Sequence, residues 1–261
     1  MSYTESGADA VAVVPEGDEI TETSIGFKNI EVPSVKLGAV KSVSNELIKH
    51  RNTAADTAGR VVAQLTQDLR DAADRVVFGV NGPTTPGLTS LPLNEDITDL
   101  GNLGANLDWL SDSLANIVDG GGLEQNAVIV ASPRALAALM KLKDSSNGNR
   151  PLIDALAGTS QYQVPNATGM GDGTVPVRNI AGVPILTSRN MSDNATLGGG
   201  EIYVLDRPNL LVAATEVEVA VSHDAKFTSD SQVFRGVFRL GWKLARPERV
   251  SRVTVPAPVS P

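Results

Sequence analysis

The chain has 261 residues, a net charge of −8 at pH 7, no cysteine and two histidines. Without cysteine it can form neither a disulfide nor a thiolate ligand, and His50 and His223 alone are too few for a typical zinc site. The acidic balance disfavours nucleic-acid binding by the whole protein, the polar N-terminus does not have the pattern of a secretory signal, and no apolar run is long enough to span a bilayer.

Residues 11–43 have the alternating pattern of extended chain. Ile25 and Phe27 are separated by one residue, and a second alternating run begins at Val35. Pro33 cannot donate a ladder hydrogen bond, which suits an edge strand or a bent arm. We therefore predict a long two-stranded excursion over this range.

Residues 44–78 predict one long helix. Its apolar positions recur at helical spacing, at Leu47, Ala54, Ala58, Val61, Leu65, Leu69, Ala72 and Val76. Ser44 can cap the first turn, and Glu46 suits the positive end of the helix dipole. Such a helix would be about 50 Å long, enough to span a whole domain. Glycine and proline in residues 79–88 then end it.

The middle of the chain predicts alternating helices and strands. A helix is expected at 94–118, and another after Ser132, which can cap it while Pro133 takes the first helical position. Strands are expected at 126–131, 183–187, 201–205 and 210–213. Residues 144–180 are polar and rich in glycine, which indicates loops with a short helix at 152–156.

The clearest strand pattern covers residues 233–244, after a shorter alternating stretch at 215–222. One face of the long strand is apolar and carries Phe234, Phe238, Leu240, Trp242 and Leu244. The other face carries Arg235, Arg239 and Lys243. Because side chains alternate along a strand, we predict one buried face and one basic face.

Charge is unevenly distributed between the two ends of the chain. Residues 1–31 are acidic and contain Glu5, Asp9, Glu16, Asp18, Glu19, Glu22 and Glu31 against Lys28. Residues 224–252 are mainly basic and contain Lys226, Arg235, Arg239, Lys243, Arg246, Arg249 and Arg252. The two segments can attract each other, or they can be two separately solvated surfaces.

Motifs of enzyme chemistry are missing from the sequence. No phosphate-binding GxxxxGK[ST] loop occurs, and the glycine-rich residues 169–173 follow no strand. Ser222, His223 and Asp224 are consecutive, so on a strand they point to opposite faces rather than converging as a triad does. Trp109 and Trp242 are interpreted as core residues. We expect no cofactor, no metal and no catalytic residue.

The segments, taken in order, resemble the major capsid proteins of tailed bacteriophages, which share the Hong Kong 97-like fold. The resemblance covers residues 11–255 and rests on PEGDE at 15–19, KLGAVKSVSNELI at 36–48, PTTPGL at 83–88, IVASPRALAALMKLKDSSNGNRPLI at 129–153, GVPILTSRNM at 182–191 and FRLGWKLARPERV at 238–250. It implies an α+β fold with an extended loop, a long spine helix, a peripheral domain and an axial domain.

The resemblance also implies a division of the chain. Residues 1–10 would be the remnant of an arm, and residues 11–43 the extended loop. The peripheral domain would contain residues 44–88 and 215–244. The axial domain and the C-terminal tail would contain residues 89–214 and 245–261.

The implied function is that of a shell subunit that assembles with itself into hexamers and pentamers. The shell would enclose DNA, contacted without sequence specificity, in a virion head built in the host bacterial cytoplasm. Separate scaffolding, portal and decoration proteins would be further partners, with no membrane. In this family the loop reaches over a neighbour, so the expected interface residues are Glu16, Glu19, Glu22, Phe27, Lys28, Arg235, Arg239 and Lys243.

Two departures from the family pattern stand out. Only about ten residues precede Val11, where relatives usually carry an arm. Some members also cross-link a loop lysine to an asparagine near the last long strand, assisted by a glutamate. Counting back from Arg246, those two positions are Asp230 and Val237. Asp230 has no amide and Val237 cannot accept a proton, so we expect no such cross-link.

Three other functions remain open on the sequence alone. A nanocompartment shell of the encapsulin type would use the same fold around an enzyme. A hydrolase with an unfamiliar site would use some of the many Asp and Glu side chains. A DNA-binding module is disfavoured by the net charge of −8.

Overall fold

The computed structural model describes residues 2–5, 14–17, 26–49, 57–79, 87–88, 91, 97–104, 106–143, 159–163, 174–191 and 200–256. Several predictions concern residues outside these ranges: the short helix at 152–156, the glycine-rich run at 169–173, His50, and most of the turn at 79–88. No helix within the described ranges is long and apolar enough to cross a membrane.

A four-stranded antiparallel sheet is built around one long strand, β12 (Ser231–Leu244). The other strands of the sheet are β3 (Ser34–Ser44), β10 (Leu210–Ala214) and β11 (Glu218–Lys226). One edge of β12 pairs with β3 from Ser231 to Gly241, and the other edge pairs first with β11 and then with β10. Between β10 and β11, Thr215 Oγ1 accepts a hydrogen bond of 2.9 Å from the Arg239 amide. This bond ties the irregular connection to the sheet.

The helix α2 (Thr57–Phe78) lies on one face of this sheet, against β3 and β12. Its buried side chains are Leu65, Leu69 and Val76, three of the predicted apolar positions, whereas Ala58 in the first turn is exposed. Leu47 of the predicted stripe, which precedes this helix, is exposed as well. Trp242 of β12 donates a hydrogen bond of 3.1 Å from Nε1 to the Val76 carbonyl. The indole therefore anchors the last turns of the helix to the sheet.

The described parts of the predicted 44–78 helix are helical. A short helix α1 (Asn45–Lys49) precedes α2, and residues 50–56 lie outside the described ranges. Ser44 is both the last residue of β3 and the cap, because its Oγ accepts from the Glu46 amide at 3.2 Å. The chain thus passes directly from the sheet into the helix.

A second, seven-stranded mixed sheet has the order β4-β13-β9-β5-β8-β7-β6. Its strands are β4 (Thr98–Asn102), β5 (Ala127–Ala131), β6 (Thr159–Gln163), β7 (Thr174–Ile180), β8 (Val183–Thr187), β9 (Gly200–Asp206) and β13 (Val250–Val255). The pairs β4–β13 and β5–β8 are parallel and the others are antiparallel. β5 and β9 are buried along their whole length and form the centre of the sheet.

Two helices cover one face of this sheet: α3 (Asp108–Asp119) and α4 (Pro133–Lys141). Side chains from both belong to a single core cluster with strand residues such as Ile129. Ser132 accepts from the Ala135 amide at 3.3 Å, which confirms the predicted cap. The opposite face contributes Val128, Val130 and Tyr203 to the core shared with α2 and β12.

Two predictions in this region are wrong. The helix expected at 94–118 begins only at Asp108, because residues 98–102 form β4 beside β13. The loops expected at 144–180 include strands β6 and β7, which pair with each other before β7 pairs with β8. Long-range pairing overrides the weak local pattern in both places.

A two-stranded ribbon, β1 (Ser2–Glu5) with β2 (Gly26–Asn29), precedes the four-stranded sheet. The expected division assigned the first of these strands to an arm remnant and residues 11–43 entirely to an extended loop. In the structure, residues 2–5 pair with residues 26–29, and residues 34–43 pair with β12. β10, assigned to the axial part, likewise pairs with β12.

Candidate subunit interface

The exposed face of the four-stranded sheet carries the predicted basic side chains. Arg235, Arg239 and Lys243 are exposed and alternate with buried Phe234, Phe238 and Trp242. The apolar face is the one packed beneath α2. The prediction of one buried face and one basic face is therefore confirmed.

A fourth cation on this face was missed by the sequence analysis. Lys36 of β3 is exposed and pairs directly with Arg239 across the two strands. Paired residues of an antiparallel sheet place their side chains on the same face, so two positive charges are adjacent. The alternation of β3 already indicated which face Lys36 occupies, but not that its partner is an arginine.

Little negative charge balances this basic face within the subunit. No salt bridge involves Lys36, Arg235, Arg239 or Lys243 among the described residues. Glu218 of β11 is on the same face, opposite Val237. Lys41, by contrast, is on the helix side, 2.5 Å from Asp68, and its hydrogen bond lowers the pKa of that carboxyl.

The acidic partners predicted for this face are only partly described. Glu16 is exposed in a turn, whereas Glu19 and Glu22 lie outside the described ranges. Phe27 and Lys28 are in β2, paired with Thr4 and Tyr3. Within the described residues, no ion pair or hydrogen bond joins Glu16 to the basic face of its own subunit.

Two sets of polar contacts link the four-stranded sheet and its helix α2 to the seven-stranded sheet and its helix α3. After β8, Ser188 donates to Asp74 of α2 at 2.5 Å, and Arg189 forms an ion pair with Asp71. After β12, Arg246 and Arg249 donate to the Gly120 carbonyl at the end of α3, at 3.1 and 2.8 Å. The residues that make these contacts fall within two of the segments quoted above, 182–191 and 238–250.

The positions of the expected cross-link have local structural roles. Asp230 lies in the β11–β12 turn with φ of +41°, a conformation that Asp tolerates better than most residues. Its carboxylate accepts from Asn45 Nδ2 at 2.6 Å. Val237 is half-buried between Gly38 and Glu218 on the neighbouring strands.

The described residues contain no arrangement typical of a catalytic or metal site. Ser222, His223 and Asp224 are exposed on β11, and Ser222 Oγ accepts from the Ala225 amide at 3.2 Å. No group of three or more His, Cys, Asp or Glu residues in the described ranges could hold a metal ion. Trp109 and Trp242 are buried, as predicted for core residues.

One buried charged cluster lies in the seven-stranded sheet. Arg252 of β13 is 3.1 Å from Asp99 of β4 and 3.5 Å from Glu201 of β9. Burial raises the pKa of Glu201, while the hydrogen bond from Tyr203 and the charge of Arg252 act in the opposite direction. This cluster joins three strands of the core.

Comparisons with known proteins place the whole fold. The model of the phage capsid family matches residues 2–255. The capsid of an empty GTA particle is 17% identical at a TM-score of 0.64, covering 97% of this chain and 81% of that one. A structure from Gordonia phage Cozz is 17% identical at a TM-score of 0.61, with coverages of 99% and 81%.

A structure from Mycobacterium phage Adephagia is 13% identical at a TM-score of 0.62, covering all of this chain and 83% of that one. No curated protein sequence matches this chain. The match over residues 2–255 and the capsid-like structures confirm the Hong Kong 97-like fold and do not favour the encapsulin alternative. The chain belongs to the phage capsid family and is a structural subunit of a virion shell.

Proposed function

We propose that this chain forms an icosahedral phage head, as hexamers and pentamers, around packaged DNA. Assembly takes place in the host cytoplasm, with scaffolding, portal and decoration functions supplied by separate proteins. The role is purely structural: the chain acts through its interfaces and not through catalysis. Residues 44–88 and 215–244, with β3 and β10, act as the peripheral domain, and the seven-stranded sheet acts as the axial domain.

The direct pairing of Lys36 with Arg239 supports the location of one interface. Like charges opposite each other destabilise a sheet, so an anionic partner on this face relieves a cost that the free subunit carries. The acidic stretch around Glu16, Glu19 and Glu22 has the opposite charge and precedes β2 in the sequence. On this proposal the ribbon, including Phe27 and Lys28, lies over a neighbour and brings these carboxylates to Arg235, Arg239 and Lys243.

Assembly of the purified chain tests this proposal. Light scattering and negative-stain microscopy should show rings or shells, and assembly should weaken as salt rises, because exposed charges are screened over about 8 Å at physiological ionic strength. Arg239→Glu should hinder assembly while leaving the subunit folded. Glu19→Arg or Glu22→Arg should restore part of the assembly of that variant.

The controls separate this interface from other readings. A parent chain that stays monomeric under all assembly conditions, including co-expression with its scaffolding protein, contradicts the shell function. Assembly indifferent to both salt and Arg239→Glu means that the basic face is merely solvated. If Arg239→Glu leaves assembly intact but loosens DNA from filled particles, the basic face contacts DNA instead of the acidic stretch.

A further inference from the structure

The two helices on the seven-stranded sheet carry opposite charges. The charged side chains of α3 and of the turn after it are all negative: Asp108, Asp112, Asp119 and Glu124. No Lys or Arg occurs between residues 106 and 126. The charged side chains of α4 and of the two residues after it are all positive: Arg134, Lys141 and Lys143. No Asp or Glu occurs between residues 127 and 143. All seven side chains are exposed. We call the two sets the acidic surface and the basic surface.

Each surface faces away from the core because of its spacing along the helix. Asp108, Asp112 and Asp119 are four and seven residues apart and therefore share one stripe of α3. Arg134 and Lys141 are seven residues apart and share one stripe of α4. No described ion pair within the subunit neutralises the four acidic side chains, or Lys141 and Lys143.

The two surfaces occupy different halves of the same face of the sheet. α3 packs against β13 and β9, and Asn116 donates to Ser251 of β13 at 3.3 Å. α4 packs against β9, and Met140 Sδ lies 2.6 Å from Arg178 Nη1 of β7. Because β13 and β7 lie on opposite sides of β9 in the sheet, the charges are separated across the domain.

Apolar side chains accompany the charges on both surfaces. Val118 and Leu123, beside the acidic surface, are 52% and 57% exposed, and Met140, beside the basic surface, is 44% exposed. Charged residues with exposed apolar neighbours are typical of an interface rim and its core. A repeating contact between copies can bury the apolar side chains and pair the charged ones at the same time.

We propose that the acidic surface of one subunit binds the basic surface of the next around a shell axis. The occupant of each surface is thus a second copy of this chain. A contact between different surfaces is head-to-tail and forms a ring where the rotation between copies closes, as it must around a shell axis. A two-fold contact of either surface with itself would place like charges together. This contact rests on the proposed shell function and is independent of the basic face on β12.

Paired charge reversal tests the contact. Variant A carries Asp112→Lys, Asp119→Lys and Glu124→Lys, and variant B carries Lys141→Glu and Lys143→Glu. Each alone presents the same sign on both surfaces, so we expect the concentration needed for assembly to rise at least about tenfold, the equivalent of about 1.4 kcal/mol. Mixing A and B in equal amounts should restore six-membered rings, because alternating subunits again meet with opposite charges. A five-membered ring cannot alternate and keeps one like-charged contact, so closed shells should recover less than hexamers.

The controls keep each outcome decisive. Circular dichroism and thermal unfolding show that A and B are folded, and Lys141→Arg with Lys143→Arg should assemble as the parent does. Unchanged assembly of A or B, or no recovery of six-membered rings on mixing two folded variants, overturns this contact while the parent still assembles. A parent that never assembles would instead contradict the shell function itself.

Discussion

Lys36 and Arg239 are directly opposite each other on β3 and β12, with both side chains on the exposed face of the sheet. The pair destabilises the free subunit, because two positive charges are adjacent and no described salt bridge neutralises either of them. Retaining such a pair makes physical sense where a neighbour supplies the negative charge. Stability and assembly should therefore respond in opposite directions to the same substitution.

We predict that Arg239→Glu stabilises the unassembled subunit, by about 0.2–1 kcal/mol, because it replaces a repulsive cross-strand pair with an attractive one. Arg235→Glu is the matched control, since Arg235 faces Val40 and Ala220 and should gain nothing. Thermal unfolding of the two variants in assembly-blocking buffer measures the difference. Equal shifts in melting temperature would show that the Lys36 pairing has no energetic effect.

Gly236 allows the close approach of α2 to the sheet. A Cβ at this position would be 2.8 Å from Leu69 Cδ1 and 3.0 Å from Leu65 Cδ2. We predict that Gly236→Ala destabilises the subunit by about 1–3 kcal/mol through overpacking. Gly38→Ala is the control, because its Cβ would meet nothing nearer than 3.6 Å. Urea unfolding that finds the two alanine variants equally stable contradicts this packing argument.

The buried side of α2 should tolerate no charge. Leu65 is fully buried, so Leu65→Asp places an unpaired charge in the core, at a cost of several kcal/mol, and should abolish folding or assembly. Gln67 is exposed on the same helix, so Gln67→Glu should be tolerated. Circular dichroism and light scattering report the two steps separately. If the two variants fold and assemble equally well, the side of α2 that carries Leu65 does not face the core.

The buried carboxyl of Glu201 should make stability depend on pH. Its pKa in the folded state is raised above 4.5, so the folded subunit holds this proton more tightly than the unfolded chain. This contribution to stability is present below pH 4.5 and is lost as pH rises through the folded-state pKa. We predict that the stability of Glu201→Gln relative to the parent increases over that range. Urea unfolding series from pH 4 to pH 7 that remain parallel would contradict it.

Mature particles should contain no covalent cross-link through positions 230 and 237. The carboxylate of Asp230 is engaged by Asn45, and the Val237 side chain carries no titratable group. Boiled denaturing gels should give a single band near 27.3 kDa. A ladder of multimers that survives boiling would show that another pair of side chains forms the bond.

The local sequence patterns predicted the features that depend on residues close together in the chain, namely buried faces and helix starts. The spacing of Leu65, Leu69 and Val76 identified the buried stripe of α2, and Ser132 with Pro133 identified the start of α4. The alternation along β12 identified its basic face. The same patterns failed at β4, β6 and β7, because short polar strands owe their conformation to distant partners rather than to their own periodicity.

By itself, the sequence predicted the buried Leu65, Leu69 and Val76 of α2 and the buried apolar face of β12. It also showed that opposite charges occupy different segments of the chain. Only the tertiary structure decided which residues meet: Lys36 with Arg239, Gly236 with Leu69, and the arginines after β12 with Gly120. The physical reason is that burial follows a short repeat along one element, whereas strand register and helix docking depend on contacts between residues far apart in the chain. The composition of each interface depends on those contacts. The motifs were therefore enough to recognise the fold, but the residues that share a surface could be identified only from the tertiary structure.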